Sequence, residues 1–353
     1  GLLQYLANNH YTDTDFIEKH TQGLEQALAS SASEASIASV SERTGISVEK
    51  LTLFFEKFAQ TEKVMSLFSM GVNQSSRGVD KANSITNCHL LTGKIGKLGA
   101  APFSMTGQPN AMGGREVGGL ANMLAAHMDL DNPKHQQLVQ QFWHSPTIAK
   151  QVGLKAVDLF EAVEAGKIKA IWIMATNPVV SLPNADQVKR ALEKCEFVVV
   201  SDICLDTDTT QYADVLLPAL GWGEKDGTVT NSERRISRQR AFLDSPEQTK
   251  ADWWSVSQVA QKLGFDGFDF ESSHDIFKEH AQLSAYQNAE INLRSSTETF
   301  RYFNLAGLKN LSFDDYQELE PTQWPVLAPL KNGQIKPNTF AQLFKDGQFS
   351  HPD

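Results

Sequence analysis

Cysteine is scarce in this sequence. Its 353 residues contain three, Cys88, Cys195 and Cys204, far apart and with no CxxC pair. That excludes a sequence-local zinc or iron–sulfur site of the usual spacing. The nine histidines form no HExxH or similar pairing, so any metal the chain serves is held mostly by something else. An odd cysteine count without an extracellular signal fits reduced thiols and a cytoplasmic setting. No apolar run reaches membrane-spanning length. The opening GLLQYLANNHYTD lacks the basic start and long apolar core of a signal peptide. It also lacks an initiator Met and reads as the inside of a helix, as an excised piece of a longer chain would. Basic charge is not in excess: the formal net charge of -10 argues against a nucleic-acid surface. Neither nucleic acid nor a membrane is an expected partner.

What is present describes a globular protein, with 41% hydrophobic and 21% charged residues. The length allows one large domain or two ordinary ones. The first sixty residues read as helices. DTDFIEKHTQGLEQALAS has helical apolar spacing, and ISVEKLTLFFEKFAQ follows with Ser47 as its N-cap. KVMSLFSMG reads as a buried strand that delivers Met70 to its end, and a helix then resumes and stops at Gly93. From Lys155 helices alternate with apolar strands: AVDLFEAVEAGKI, then KAIWIMAT, NADQVKRALEKC, EFVVVSD, TTQYA and DVLLPA. Val- and Ile-rich runs separated by amphipathic helices predict parallel strands in a doubly wound α/β sheet. Ligands of such sheets bind outside the carboxyl ends of the strands, where Asn177, Ser201, Asp202 and the segment after Pro218 fall. Helices follow Asp252, and the turn-rich final stretch reads as extended.

Each candidate group has a plain structural reading beside a functional one. GKIGKLGA follows a helix and has GxxGxxG spacing, so it reads as a helix-ending turn and not as a dinucleotide loop. GWGEKDGTVTNSERRISRQR puts four arginines in a short span, which fits either an anion site or a solvated face knitted by Glu–Arg pairs. Asp202 suits a ribose hydroxyl or the amide edge of guanine, or else a helix N-cap. Asn177 before Pro178 is a turn former or a ligand contact, Met70 a core residue or a site residue, and Gln74 a turn cap or a hydrogen-bonding group. Asp252 is a candidate N-cap. TGQPNAMGGREVGGLANMLAAH, Thr106 to His127, sets Gln108, Arg115 and Glu116 among five glycines. Glycine at that density marks tight turns or close approach of backbone to a ligand. Together these polar groups at strand ends, beside two glycine loops, fit a large phosphorylated cofactor.

At this point a resemblance becomes specific. MGVNQSSRGVDKANSITNCHLLTGKIGKLGAAPFSMTGQPNAMGGREVGGL resembles the central block of the bacterial molybdopterin oxidoreductases. It looks most like assimilatory nitrate reductase catalytic subunits, with the periplasmic nitrate reductases next. ATNP, VVVSD, ADVLLPA and EKDGTVTNSERR continue the match in order, so it runs from about Val64 to QWPV. The resemblance implies doubly wound, mostly parallel sheets like the central domains of formate dehydrogenase and DMSO reductase. It implies molybdenum held by the dithiolenes of two molybdopterin guanine dinucleotides. Met70, Gln74, Asn177, Ser201, Asp202, Lys225 and Asp252 match positions that bind this cofactor, with Lys225 suited to a pyrophosphate. Gln108, Arg115 and Glu116 match the loop lining a substrate funnel, where Arg115 would attract nitrate for reduction to nitrite in nitrate assimilation.

The departures shape the domain expectation. The family's 4Fe-4S cluster and molybdenum-ligating cysteine belong upstream, and none of the three cysteines matches them. The chain is therefore expected to be an internal fragment, inactive alone, serving a parent enzyme with a separate electron donor. Residues 1–105 are expected to complete one α/β domain and 106–250 to form the cofactor-binding one. A helical segment over 251–310 and an extended linker over 311–353 would follow. A non-catalytic binding module of the same fold, or a formate dehydrogenase-type relative, remain open alternatives.

Overall fold

The computed structural model describes residues 1–34, 36–105, 107–288 and 301–327. The chain divides into two units, Gly1–Gln108 and Pro109–Asp353.

The first unit opens with α1 (Leu2–Asn8), α2 (Thr14–His20), α3 (Leu24–Ser30), α4 (Ile37–Thr44) and α5 (Val48–Gln60). The run expected as one helix from Asp13 is two. The first ends at an extended Thr21, and Gly23, left-handed at φ 77°, stands at the N-cap of the next. Ser47 caps α5 as expected, its hydroxyl accepting the Lys50 N–H at 3.5 Å. α5 buries Leu51, Phe55 and Phe58 along one face. There Phe58 meets Leu3 and Leu6 of α1 and Leu91 and Cys88 of α7 (Gly78–Leu91). The Cys88 thiol is pushed up to about 11 by burial and behaves as a packing group.

β1 (Met65–Phe68) pairs in parallel with β2 (Ala101–Ser104). It is not the buried strand expected: Met65 is 49% and Leu67 60% exposed. One face of β1 packs and the other does not, because a two-stranded sheet lacks layers on both sides. Met70 lies beyond the strand and begins the one-turn α6 (Met70–Asn73). After α7 come Gly93, Gly96 and Gly99, all at positive φ. This is the turn reading of GKIGKLGA. Lys94 in that turn folds back to donate to the Phe58 and Ala59 carbonyls at the end of α5.

The second unit begins with α8 (Ala111–Glu116), the hairpin β3 (Met123–Leu124) and β4 (Met128–Asp129), and α9 (Pro133–Phe142). The alternation read from Lys155 onward is then realised. α10 (Ala156–Glu164), β5 (Ala170–Met174), α11 (Pro178–Ser181), α12 (Ala185–Lys194), β6 (Phe197–Asp202) and β7 (Val215–Pro218) follow in order. β5, β6 and β7 are parallel and adjacent. Ile173, Val198 and Val200 of the sheet bury against Phe160 and Val163 of α10 and Val188, Ala191 and Leu192 of α12.

β8 (Gly227–Thr230) and β9 (Arg235–Gln239) form an antiparallel pair, and α13 (Asp252–Lys262), α14 (Ser273–Ala285), α15 (Phe313–Gln317) and β10 (Thr322–Gln323) complete the described chain. β10 pairs with β9. Within the stretch 311–353 expected as an extended linker, the described residues 311–327 are packed. Phe303, Leu305, Leu308, Tyr316 and Trp324 join Met128, Ile236 and Phe277 in one apolar core. Side chains of this size gain ~1.5–3 kcal/mol each on burial, which a free linker would forgo. The expected helical and linker segments over 289–300 and 328–353 lie outside the described residues.

Candidate cofactor and oxyanion site

The second unit gathers polar groups at the carboxyl edge of its parallel sheet. Asn177 lies three residues past the end of β5, at the start of α11, and its side-chain oxygen accepts the Thr209 hydroxyl at 2.6 Å. Ser201 and Asp202 end β6. Ser201 is buried and its Oγ accepts the Trp172 indole N–H at 2.9 Å. Asp202 Oδ1 accepts the Cys204 N–H at 3.0 Å, so the residue closes a turn and caps no helix. β7 is prolonged by a parallel bridge between Ala219 and Lys250, which brings Asp252 to the same edge. Lys225 arrives there from the loop after β7, its Nζ 3.9 Å from Asp252 Oδ2.

Asp252 is the informative member. It is the first helical residue of α13, with Ala251 at the cap position and no side-chain cap bond. Its Oδ1 is buried and has no hydrogen-bond partner. Buried carboxylate oxygens are normally satisfied, and a lysine 3.9 Å from the other oxygen does not satisfy this one. A donor-rich ligand edge would: a guanine N1–H and amino group, or ribose hydroxyls, are the complementary chemistry.

Met70 and Gln74 belong to the first unit, where Met70 is half-buried and Gln74, past the end of α6, is exposed. Gln108 is exposed and is the last residue of that unit.

Arg115 and Glu116 end α8 and diverge. Arg115 is exposed and makes no ion pair or hydrogen bond with its side chain among the described residues. Glu116 is 3% exposed. One oxygen accepts the Trp324 indole N–H at 2.6 Å and the other the Thr230 hydroxyl at 2.8 Å. The expectation that Glu116 lines a funnel is corrected accordingly: it anchors α8 to β8 and Trp324. Burial pushes its carboxyl up, against the two donors. An acid raised in the fold contributes stability below its ordinary value near 4.5, and that contribution is lost as pH rises through the folded value. Urea titrations from neutral to mildly acidic pH should show the parent gaining stability relative to Glu116→Gln as pH falls. Parallel pH profiles would contradict this.

The four arginines after β8 are bound into the fold, so the anion-site reading of that stretch is withdrawn. Arg234 stacks on Trp324 at 5.3 Å and donates to its carbonyl. Arg235 takes Glu233 and the Pro321 carbonyl, and Arg240 the Gln317 carbonyl. Arg238 is saturated by Asp226, Tyr316 and Gln317. Asp226 and Glu233 lie within the span, but the carbonyls of Tyr316, Gln317, Pro321 and Trp324 lie about 77 to 90 residues downstream, where the span offered no signal of them. Sequence reasoning also passed over His127 and Trp324, which stand beside Arg115 and Glu116.

Polar groups at the carboxyl edge of a parallel α/β sheet stand where proteins of this architecture bind their ligands. Residues 9–262 match the molybdopterin oxidoreductase family, and the chain belongs to it. It is 50% identical over 341 residues to a nitrate reductase of Shewanella frigidimarina, covering 96% of this chain and 36% of that protein. It is 45% identical over 327 residues to a nitrate reductase of Klebsiella oxytoca, covering 92% of this chain and 36% of that one. The chain thus spans little more than a third of the length of these relatives. The acetylene hydratase of Pelobacter acetylenicus shares the fold, with a TM-score of 0.56 over 79% of this chain and 41% of that one at 15% identity. Among the described residues no helix is long and apolar enough to cross a membrane.

Proposed function

We propose that this chain is the central portion of a molybdenum nitrate reductase acting in the cytoplasm. In this reading Asp252, Lys225, Asp202, Ser201 and Asn177 hold part of a bis-molybdopterin guanine dinucleotide group, and Met70 and Gln74 of the first unit are assigned to cofactor contacts in their own right. Asp252 would take guanine or ribose donors, and Lys225 would neutralise a pyrophosphate. When bound, the group would supply two-electron oxygen-atom transfer, converting nitrate to nitrite. Arg115 offers an unpaired positive charge to the incoming anion, and Gln108 is assigned to the same substrate loop. The 4Fe-4S cluster and the electron donor belong to the parent enzyme and not to these residues.

The observation that carries this reading is the buried, partnerless Asp252 Oδ1 beside Lys225. It is tested with guanosine diphosphate as the probe and adenosine diphosphate as the control, by calorimetry on the purified chain. The parent should favour the guanine nucleotide, and Asp252→Ala should weaken it about tenfold or more, as expected for loss of a hydrogen bond to a charged group. Equal binding of the two nucleotides, or an Asp252→Ala variant that binds like the parent, overturns the assignment. For the reaction, the whole enzyme is assayed with nitrate against formate. Turnover of formate alone refutes the nitrate reading.

A further inference from the structure

His127 and His280 face the ring of Phe303, each with its centroid 5.2 Å away. His127 also meets Trp324 edge-on at 5.7 Å. Both imidazoles are half-buried, and neither makes a hydrogen bond among the described residues. Their ring nitrogens are not among the buried polar atoms without a partner, so they stay open to solvent and to a small solute.

His127 is held there by backbone. It follows Ala126 in the tip of the β3–β4 hairpin, both at positive φ (57° and 54°). Residues with a Cβ occupy that region at a cost that the surrounding structure must offset. The offset is visible: the Ala126 N–H donates to the Glu116 carbonyl at 2.7 Å, clamping the hairpin tip to the end of α8. The residue before Glu116 is Arg115.

The charged and titratable groups around His127 can be named element by element. α8 supplies Arg115, and also Glu116, whose carboxylate is occupied by Trp324 and Thr230. α14 supplies His280. The 301–327 segment supplies only the apolar faces of Phe303 and Trp324, the latter carrying Arg234. On β4, Asp129 lies 3.5 Å from His135. Burial, and then the positive charge of Arg115, hold His127 below the ordinary imidazole value. Burial and His127 hold His280 at about 4. The two carboxylates named here, Glu116 and Asp129, both have other partners.

We propose that Arg115 and His127 form a two-residue oxyanion subsite in which the anion and a proton bind together. The inference rests on the reading of Arg115 as the anion's contact. With the site empty, the guanidinium discourages protonation of the imidazole beside it. An anion on Arg115 cancels that charge and offers His127 an oxygen to donate to, so the imidazole takes up a proton as the anion arrives. By reciprocity the protonated site binds the anion more tightly.

The test is a pH titration of the His127 ring by NMR on the isotope-labelled chain, in sodium nitrate and in sodium chloride at matched ionic strength. The signal is assigned by its loss in His127→Asn, since Asn tolerates a left-handed backbone. Nitrate should raise the His127 midpoint by about one unit, equivalent to about tenfold tighter nitrate binding at low pH than at high pH. Arg115→Gln should raise the midpoint without nitrate and abolish the further nitrate effect. Arg115→Lys, which keeps the charge, should retain the depressed midpoint. A midpoint identical in the two salts, or unmoved by Arg115→Gln, overturns the subsite. If the whole enzyme proves to act on another substrate while the linkage holds, the nitrate reading fails and the subsite stands. Nitrate turnover with an unresponsive His127 sinks the subsite alone.

Discussion

Replacing Arg238 with alanine is expected to cost ~3 kcal/mol of stability, the low end of the range for stripping one partner from a buried charge pair, because the Asp226 side chain is 36% exposed. The Arg238 side chain has no solvent exposure and lies 2.7 Å from Asp226. Its guanidinium sits 3.8 Å over the Tyr316 ring, while its nitrogens donate to the Tyr316 carbonyl at 2.9 Å and the Gln317 side chain at 3.2 Å. One side chain thus fastens β9 to the loop before β8 and to α15. Its loss leaves Asp226 with the Ser273 hydroxyl among the described residues, and it removes one donor from the Tyr316 carbonyl, which keeps the Leu319 N–H at 3.3 Å. Urea unfolding reports the loss directly. Removing the carboxylate as well, in Arg238→Ala with Asp226→Ala, should cost less than the sum of the two single changes, because the second change removes a charge already stranded. A single-variant loss below ~1 kcal/mol would show that the guanidinium is a bystander, as exposed pairs are.

Which features the sequence discloses follows from how local their causes are. α5, α10 and α12 are legible because apolar residues at helical spacing need only one neighbour to bury against, and Ser47 announces the first of them. The parallel strands β5, β6 and β7 are legible because strands covered on both faces are apolar throughout. β1 is nearly as apolar, yet half exposed, since whether a second face is covered depends on strands elsewhere. The packing of residues 301–327 is hidden for a similar reason. Tyr316 is held by Arg238 and Trp324 by Glu116, 208 positions away, and no window of sequence contains both partners.

The site divides along the same line. That Asp202 and Lys225 follow strand ends can be read from order alone, as can Asn177 after β5. The inward turn of Glu116 cannot: adjacent helical residues point about 100° apart, and the Arg-Glu dipeptide does not say which of the two faces the core. The four arginines misled for the converse reason. Positive charge in a run looks like a surface until backbone carbonyls from a distant segment are seen to absorb it.

Two glycines of the loop from Gly107 to Gly119 separate the demands of folding from those of binding. Gly118 sits at φ 76°, and a Cβ there would lie 2.6 Å from the Ala125 nitrogen and 2.8 Å from the Leu124 carbonyl carbon, both backbone. Gly118→Ala combines a strained conformation with a collision that only a hairpin shift relieves, and should cost ~2–3 kcal/mol. That shift pulls Ala126 from the Glu116 carbonyl, so His127 should lose the influence of Arg115 and titrate closer to an ordinary imidazole. Gly114 lies within α8, at ordinary φ, and a Cβ there meets nothing within 4 Å. Folding alone would prefer alanine, and Gly114→Ala should stabilise the bare chain by ~0.5–1 kcal/mol. An open place kept by a glycine that the fold does not require is what close approach of a ligand to backbone demands. Gly114→Ala should therefore raise the urea midpoint while weakening the nitrate-linked shift of His127. If both glycine variants instead track together, losing or keeping stability and linkage alike, the loop's glycines serve the turn only.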